Sequence, residues 1–221
     1  MYKAKHVDIS ERAKQLEGGL FLSLSPAIMY DTRDSALNPR NGVLASIRYD
    51  QAFCLDEFNR TNGKLSGMIK RFFPVASKSS FSLTAKAGGK IFGDHMPEVM
   101  AFRLGGPYTV RGYKINGVGT GDAFVMGSAE LATPVFFLDR LKVNFFQNLR
   151  LTFFVDAGKV FGSSITDKIY DRPLSAITAG AGLRVFIPGV GPLSIDYGIP
   201  LTNPGGSRRG LVTFGVGDVG Y

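Results

Sequence analysis

The stretch Arg150-Leu151-Thr152-Phe153-Phe154-Val155-Asp156-Ala157-Gly158 decides the fold. In an extended chain side chains alternate, so Leu151, Phe153, Val155 and Ala157 share one face while Arg150, Thr152, Phe154, Asp156 and Gly158 share the other. The pattern recurs downstream. Ala179, Ala181, Leu183, Val185 and Ile187 alternate with Thr178, Gly180, Gly182 and Arg184, and Leu193, Ile195, Tyr197 and Ile199 alternate with Ser194, Asp196 and Gly198. Working outward, nine such segments rich in Phe, Val, Ile, Leu and Thr fall near 20–33, 43–54, 63–75, 80–92, 122–134, 149–161, 174–187, 191–201 and 209–219, separated by Gly, Pro, Asn and Asp. No helical segment intervenes between consecutive strands, which predicts antiparallel pairing through hairpins. A soluble sandwich also alternates, with its polar face in water. Here the polar faces carry glycines and isolated charges, and the segments run to about ten residues, the length that crosses a bilayer at a steep tilt. Soluble strands average about 5–6 residues. The pattern therefore reads as an all-β, antiparallel transmembrane β-barrel, apolar outward and polar inward, with a soluble β protein as the alternative.

Composition removes other classes. The chain has 221 residues, 44% apolar and 20% charged, which suits an ordered protein. Its most apolar run, around Ala176 to Ile195, is broken by Arg184, Pro188 and several glycines, so no membrane-spanning helix is expected. One cysteine, Cys54, excludes a disulfide framework, and with only His6 and His95 no metal centre or cofactor is expected. A net charge of +8 invites a nucleic-acid reading, but the basic residues are dispersed, with no run longer than Lys70-Arg71 or Arg208-Arg209; no nucleic-acid partner is expected. A Ser-His-Asp triad would need His6 or His95, and no Gly-x-Ser-x-Gly elbow presents a serine, so the chain reads as a non-enzyme. Residues 1–19 form a short polar leader of helical composition, with Asp8 or Ser10 as N-cap and a Gly18-Gly19 stop. The leader lacks an apolar core, so it is not a signal peptide. Phe72, Phe73, Phe136, Phe137, Phe145, Phe146, Phe153 and Tyr170 are candidates for interfacial aromatic girdles.

The connection at 93–121 is too long for a hairpin turn, and loops of that length are usually functional. It contains Phe102-Arg103-Leu104-Gly105-Gly106-Pro107-Tyr108-Thr109-Val110-Arg111-Gly112-Tyr113. This resembles the BamA superfamily of outer-membrane assembly and translocation barrels, also known as the bacterial surface antigen domain, whose sixth extracellular loop carries Val-Arg-Gly-Phe/Tyr after a Gly-Gly turn. Further motifs follow in the family's order. They are Tyr30-Asp31-Thr32-Arg33-Asp34 with Asn38-Pro39-Arg40-Asn41-Gly42, Phe154-Val155-Asp156-Ala157-Gly158, Gly180-Ala181-Gly182-Leu183-Arg184, and Gly191-Pro192-Leu193 with Asp196-Tyr197-Gly198-Ile199-Pro200. The Gly117-x-Gly119-x-Gly121 run precedes a strand rather than a helix and is not a phosphate-binding loop.

The resemblance covers about residues 20–221 and implies the C-terminal half of a 16-stranded barrel. There is room for only about eight or nine bilayer-length strands. It implies a loop-tip motif of Gly105, Gly106, Val110, Arg111, Gly112 and Tyr113, with Arg111 docked on the lumen acids Asp156 and Glu130. It implies a Phe-x-Asp-x-Gly strand of Phe154, Asp156 and Gly158, and a C-terminal β-signal carried by Val212, Phe214, Val216 and Tyr221. Gly180, Gly182 and Gly198 are expected to make room for the inserted loop. The function it implies is insertion and assembly of β-barrel proteins into the outer membrane of a bacterium or an organelle. The alternatives are a translocation pore of the two-partner secretion type and the anchoring barrel of a patatin-like phospholipase. Expected partners are outer-membrane lipid, unfolded β-barrel clients, accessory assembly subunits, and either the missing N-terminal barrel half or a second copy. An open half-barrel is expected, because the tilt suited to a wide barrel does not close with half the strands.

Overall fold

The computed structural model describes residues 20–36, 38–55, 61–93, 98, 100–135, 149–162, 167–168, 171–187, 191–202 and 209–217. The expected leader, Tyr221, both histidines and the girdle candidates Phe136, Phe137, Phe145, Phe146 and Tyr170 lie outside the described residues. The strands are β1 (Phe21–Leu24), β2 (Ala27–Asp31), β3 (Gly42–Cys54), β4 (Thr61–Ala76), β5 (Ser79–Phe92), β6 (Phe102–Leu104), β7 (Gly119–Gly121), β8 (Ala123–Pro134), β9 (Arg150–Phe161), β10 (Ser175–Ile187), β11 (Gly191–Pro200) and β12 (Leu211–Val216).

Ten of them form one antiparallel meander in the order β1-β3-β4-β5-β8-β9-β10-β11-β12, with β2 also on β3. β1 and β2 are one strand position interrupted at Ser25-Pro26. The register runs on unchanged from Leu24↔Gln51 to Ala27↔Arg48, and Tyr49 still donates to the Pro26 carbonyl at 3.0 Å. The break arises because proline has no N–H for the ladder. The nine expected segments are therefore nine strand positions, and β4 and β5 run longer than expected. Pro74 is tolerated near the end of β4 because the pairing shifts register between Pro74 and Ala76. The long connection is not structureless: β6 and β7 pair as a two-stranded ribbon, Phe102↔Gly121 to Leu104↔Gly119. Among the described residues the first and last strands of the meander are not paired, so the sheet is open.

Cross-strand register lines up one face in rows: Ser128↔Asp156↔Thr178, Glu130↔Phe154↔Gly180↔Gly198, and Thr152↔Gly182↔Asp196↔Thr213. This is the face against which the loop folds. Thr152, Thr178 and Asp156 are 0% exposed and Asp196 1%, whereas Val155 is 47% exposed, Ile195 49% and Phe214 68%. Polar groups buried and large apolar groups exposed is the reverse of a protein packed against water. It is the arrangement of a barrel wall whose outer face meets lipid. Phe73 and Phe153 lie on the exposed face, as a girdle requires. Phe72 does not: it pairs with Gly42 and Ser82 on the inner face and is buried, because its even position turns it inward.

If the odd positions of β9 face hydrocarbon, Val155→Arg should cost about 2–4 kcal/mol of stability near mid-bilayer. Ala132→Arg, on the inner face beside the cavity, should cost clearly less. Chemical unfolding of both variants in lipid vesicles checks the difference, and equal costs would reject the assignment of faces.

Candidate functional site: a loop arginine seated against the sheet

The loop begins and ends at the edge of the wall where β5 closes and β8 opens. Its base is held by Lys64, which donates to the Met100 carbonyl at 2.8 Å, and by Phe102, whose ring lies 5.0 Å from that of Phe124. From the β6–β7 ribbon the chain runs down the inner face. Tyr113 reaches the Thr202 carbonyl at 2.8 Å near the loop end, and burial raises its phenol pKa. Arg111 lies at mid-wall. Tyr108 reaches Val216 at the opposite end, where β10 turns into β11. The tip is folded on itself, with the Gly105 N–H on the Thr109 hydroxyl at 2.9 Å and the Gly117 N–H on the Lys114 carbonyl at 2.8 Å.

Arg111 is 5% exposed and fully engaged. Its backbone N–H and its Nε both donate to Asp156 Oδ2, at 3.1 and 2.8 Å, and Nη2 donates to Asp156 Oδ1 at 2.9 Å. Nη1 donates to Glu130 Oε2 at 2.7 Å, and the guanidinium carbon lies 3.5 Å above the Phe154 ring centre. The planar fork suits this seat: two N–H groups meet one carboxylate side-on, a third reaches a second acid, and the flat face stacks on the ring. Ser128 donates to Asp156 Oδ1 at 2.7 Å, and Arg184 grips Glu130 through both oxygens at 2.6 and 2.7 Å. Burial alone would lower the pKa of Arg111. The Asp156 hydrogen bonds and the charges of Asp156, Glu130 and Asp196 outweigh it and hold the pKa above its ordinary value. Asp196 differs from the other two acids. It stands 3.5 Å from Arg111 Nη1, and among the described residues neither of its side-chain oxygens has a hydrogen-bond partner.

Each position of the Phe-x-Asp-x-Gly strand now has a physical task. Phe154 supplies the stacking face and Asp156 the carboxylate. Gly158 leaves space, since a Cβ there would stand 3.0 Å from both Leu104 and Val110. Those two residues, with Tyr113 and Val118 from the loop, pack on Met126, Val160 and Ala176 of the wall and form the apolar core. Gly112 adopts φ +87°, and a Cβ on it would lie 2.7 Å from the Gly198 carbonyl carbon, so the two backbones touch. Gly105 and Gly106 also take positive φ. Gly198 thus accommodates the loop, but Gly182 does not: the atoms a Cβ would meet there belong to Ile195 and Asp196, so its space holds the Asp196 carboxylate.

The structure also shows residues that the sequence did not single out. Asp167, in the connection between β9 and β10, accepts the Thr120 N–H with both carboxylate oxygens at 3.1 Å, and Arg172 bridges Asp167 and the Thr120 hydroxyl at 2.9 and 3.0 Å. A second clasp therefore holds β7. An isolated aspartate in a loop carries no periodic signal, so nothing in the sequence pointed to it. Arg184 was legible only as a charge on the inner face. Of the expected β-signal, Val212, Phe214 and Val216 are exposed on the outer face of β12, and Tyr221 lies outside the described residues.

A wall of membrane-length antiparallel strands, apolar outside and clasping a loop by a buried arginine inside, defines a transmembrane β-barrel with an inserted loop. The chain belongs to the Omp85 superfamily, whose domain matches residues 4–218. It is 30% identical over 217 residues to the mouse "Sorting and assembly machinery component 50 homolog", covering 88% of this chain and 45% of that protein. It is 34% identical over 165 residues to "Outer envelope protein 80, chloroplastic" of Arabidopsis thaliana, covering 72% of this chain and 19% of the relative. In structure it resembles BamA from Haemophilus ducreyi with a TM-score of 0.66 at 20% identity, over 87% of this chain and 41% of that one. The chain thus spans less than half the length of these relatives.

Two substitutions separate the acids. Asp156→Asn should cost about 3–5 kcal/mol, because it removes the counter-charge of a buried cation. Asp196→Asn should cost clearly less, because it removes a charge 3.5 Å from Arg111 but none of the hydrogen bonds that seat the guanidinium. Unfolding midpoints in detergent measure both, and equal losses would count against the distinction. Gly112→Ala should lift the loop and speed tryptic cleavage at Lys114, since a positive φ costs an L-residue about 1–2 kcal/mol even before the contact with Gly198.

Proposed function

We propose that the chain is the loop-bearing part of a non-enzymatic β-barrel assembly factor, which inserts and folds β-barrel proteins in the outer membrane of a bacterium or organelle. The observation that carries this reading is the seat of Arg111. Glu130, Asp156 and Phe154 fix the inserted loop against the inner wall, while among the described residues β12 stands at the end of the sheet. In this reading the loop is a brace that keeps the wall near that edge in shape. The edge is where an incoming strand pairs through backbone hydrogen bonds, which do not demand a particular sequence. The membrane supplies the driving force, because an unpaired backbone group in lipid is costly and a client gains by closing its own sheet.

The relatives support the reading: one is a sorting and assembly machinery component, the other an outer envelope protein. The proposed partners are outer-membrane lipid, unfolded β-barrel clients, accessory assembly subunits, and either an N-terminal barrel half or a second copy. A translocation pore would need an open passage along the inner face, and here the loop lies on that face with Arg111 seated at mid-wall.

The test is depletion of the protein in its own cells, followed by the appearance of protease-resistant, newly made outer-membrane barrels. Their loss on depletion, rescue by the wild type and failure of rescue by Arg111→Ala are expected. Arg111→Lys should also rescue poorly, since an ammonium cannot make the side-on pair or the stack. Normal barrel levels after depletion would end the assembly reading.

A further inference from the structure

β12 has one neighbour, β11, among the described residues. Gly217 N–H donates to the Pro192 carbonyl at 2.7 Å, which puts Gly217 and, by alternation, Gly215 and Thr213 in the bonded pairs with β11. The N–H and C=O groups of Val212, Phe214 and Val216 therefore point to the free edge. At Val216 that edge is occupied by a side chain. The Tyr108 hydroxyl accepts from Val216 N–H and donates to Val216 C=O, both at 2.8 Å. One phenol thus supplies both bonds that a neighbouring strand would make at this residue. Tyr108 passes over Gly215, where a Cβ would lie 3.5 Å from its ring and 3.7 Å from Pro107. It precedes Arg111 by three residues, so the part of the loop that seats the arginine also holds the cap.

We propose that Tyr108 is a reversible cap on the last strand. While the loop is seated it withholds Val216 from strand addition, and its release extends the edge open to an incoming client strand. The identity of that strand rests on the assembly reading above; the cap itself does not. The chemistry is a competition for two backbone groups. An added strand pairs through N–H and C=O, and at Val216 it must first displace a hydroxyl that satisfies both, whereas among the described residues no tyrosine hydroxyl meets the backbone of Val212. The cap also removes the penalty of leaving those groups unpaired next to lipid. Its position at the end of β12 sets how many residues a strand can pair before it meets the loop.

The test uses the full chain in membranes, with Cys54→Ser and a single new thiol at Val216→Cys or Val212→Cys. The probe is a synthetic nine-residue peptide of alternating Val and Thr with a central cysteine. Tyr108→Phe keeps the ring and removes only the hydroxyl. It should speed disulfide capture of the peptide at 216 about tenfold, as expected for losing two net hydrogen bonds, and leave capture at 212 within about twofold. Amide exchange at 216 should accelerate by a similar factor. Unchanged capture at 216, or an equal rise at both positions, would overturn the cap, as would unchanged exchange. Client insertion measured alongside separates the two readings: faster capture at 216 with no client inserted by the wild type keeps the cap and removes the assembly role.

Discussion

A guanidinium on the inner face of a membrane wall must be met by acids, or the loop that carries it cannot stay there. The inserted loop depends on that pairing. Asp156 receives Arg111 through three N–H groups, Glu130 receives a fourth, and Arg184 in turn holds Glu130 in place. Desolvating two cations and their acids is expensive. The arrangement persists because nearly every donor and acceptor at the centre of the cluster is used, and because Phe154 covers one guanidinium face. Asp196 shows the cost from the other side, an acid with Coulomb attraction to Arg111 whose side-chain oxygens have no hydrogen bond among the described residues.

The polarity of the sheet follows from the same constraint. With lipid outside, the large apolar side chains turn outward and the charged and small residues are left inside, so the inner face becomes a place where ionic chemistry is concentrated. Glycine then decides shape. At Gly158 and Gly198 the wall is thin enough for the loop to lie against backbone, and at Gly182 it is thin enough for a neighbouring carboxylate. The apolar core of the molecule is consequently not between two sheets. It lies between the loop and the wall, where Leu104, Val110 and Val118 are fully buried.

The loop is also a structural link between the two ends of the wall. It is clasped at its base by Asp167 and Arg172, at mid-wall by Asp156 and Glu130, and at the far end by Val216. These contacts belong to different strands and to the connection between β9 and β10. Only Thr109 and Val110 separate Arg111, seated on Asp156, from Tyr108, which meets the backbone of the last strand.

Period-two alternation was enough to locate nine strand positions and to orient β9, β10 and β11, because burial on one face and lipid on the other impose a strict parity that is visible in residue type. The order of motifs was enough to name the family and to pick Arg111, Asp156 and Glu130 as partners. Other features were decided only in three dimensions. Phe72 looked like a girdle residue, but the register of β4 pairs it with Gly42 and Ser82 and turns it inward. Asp167, Tyr108 and the separate roles of Gly182 and Gly198 depend on which backbone lies opposite which side chain, at separations of 47 and 108 residues for the first two. Such pairings are set by how strands and loop stack in space, and a local pattern of residue types contains no record of them.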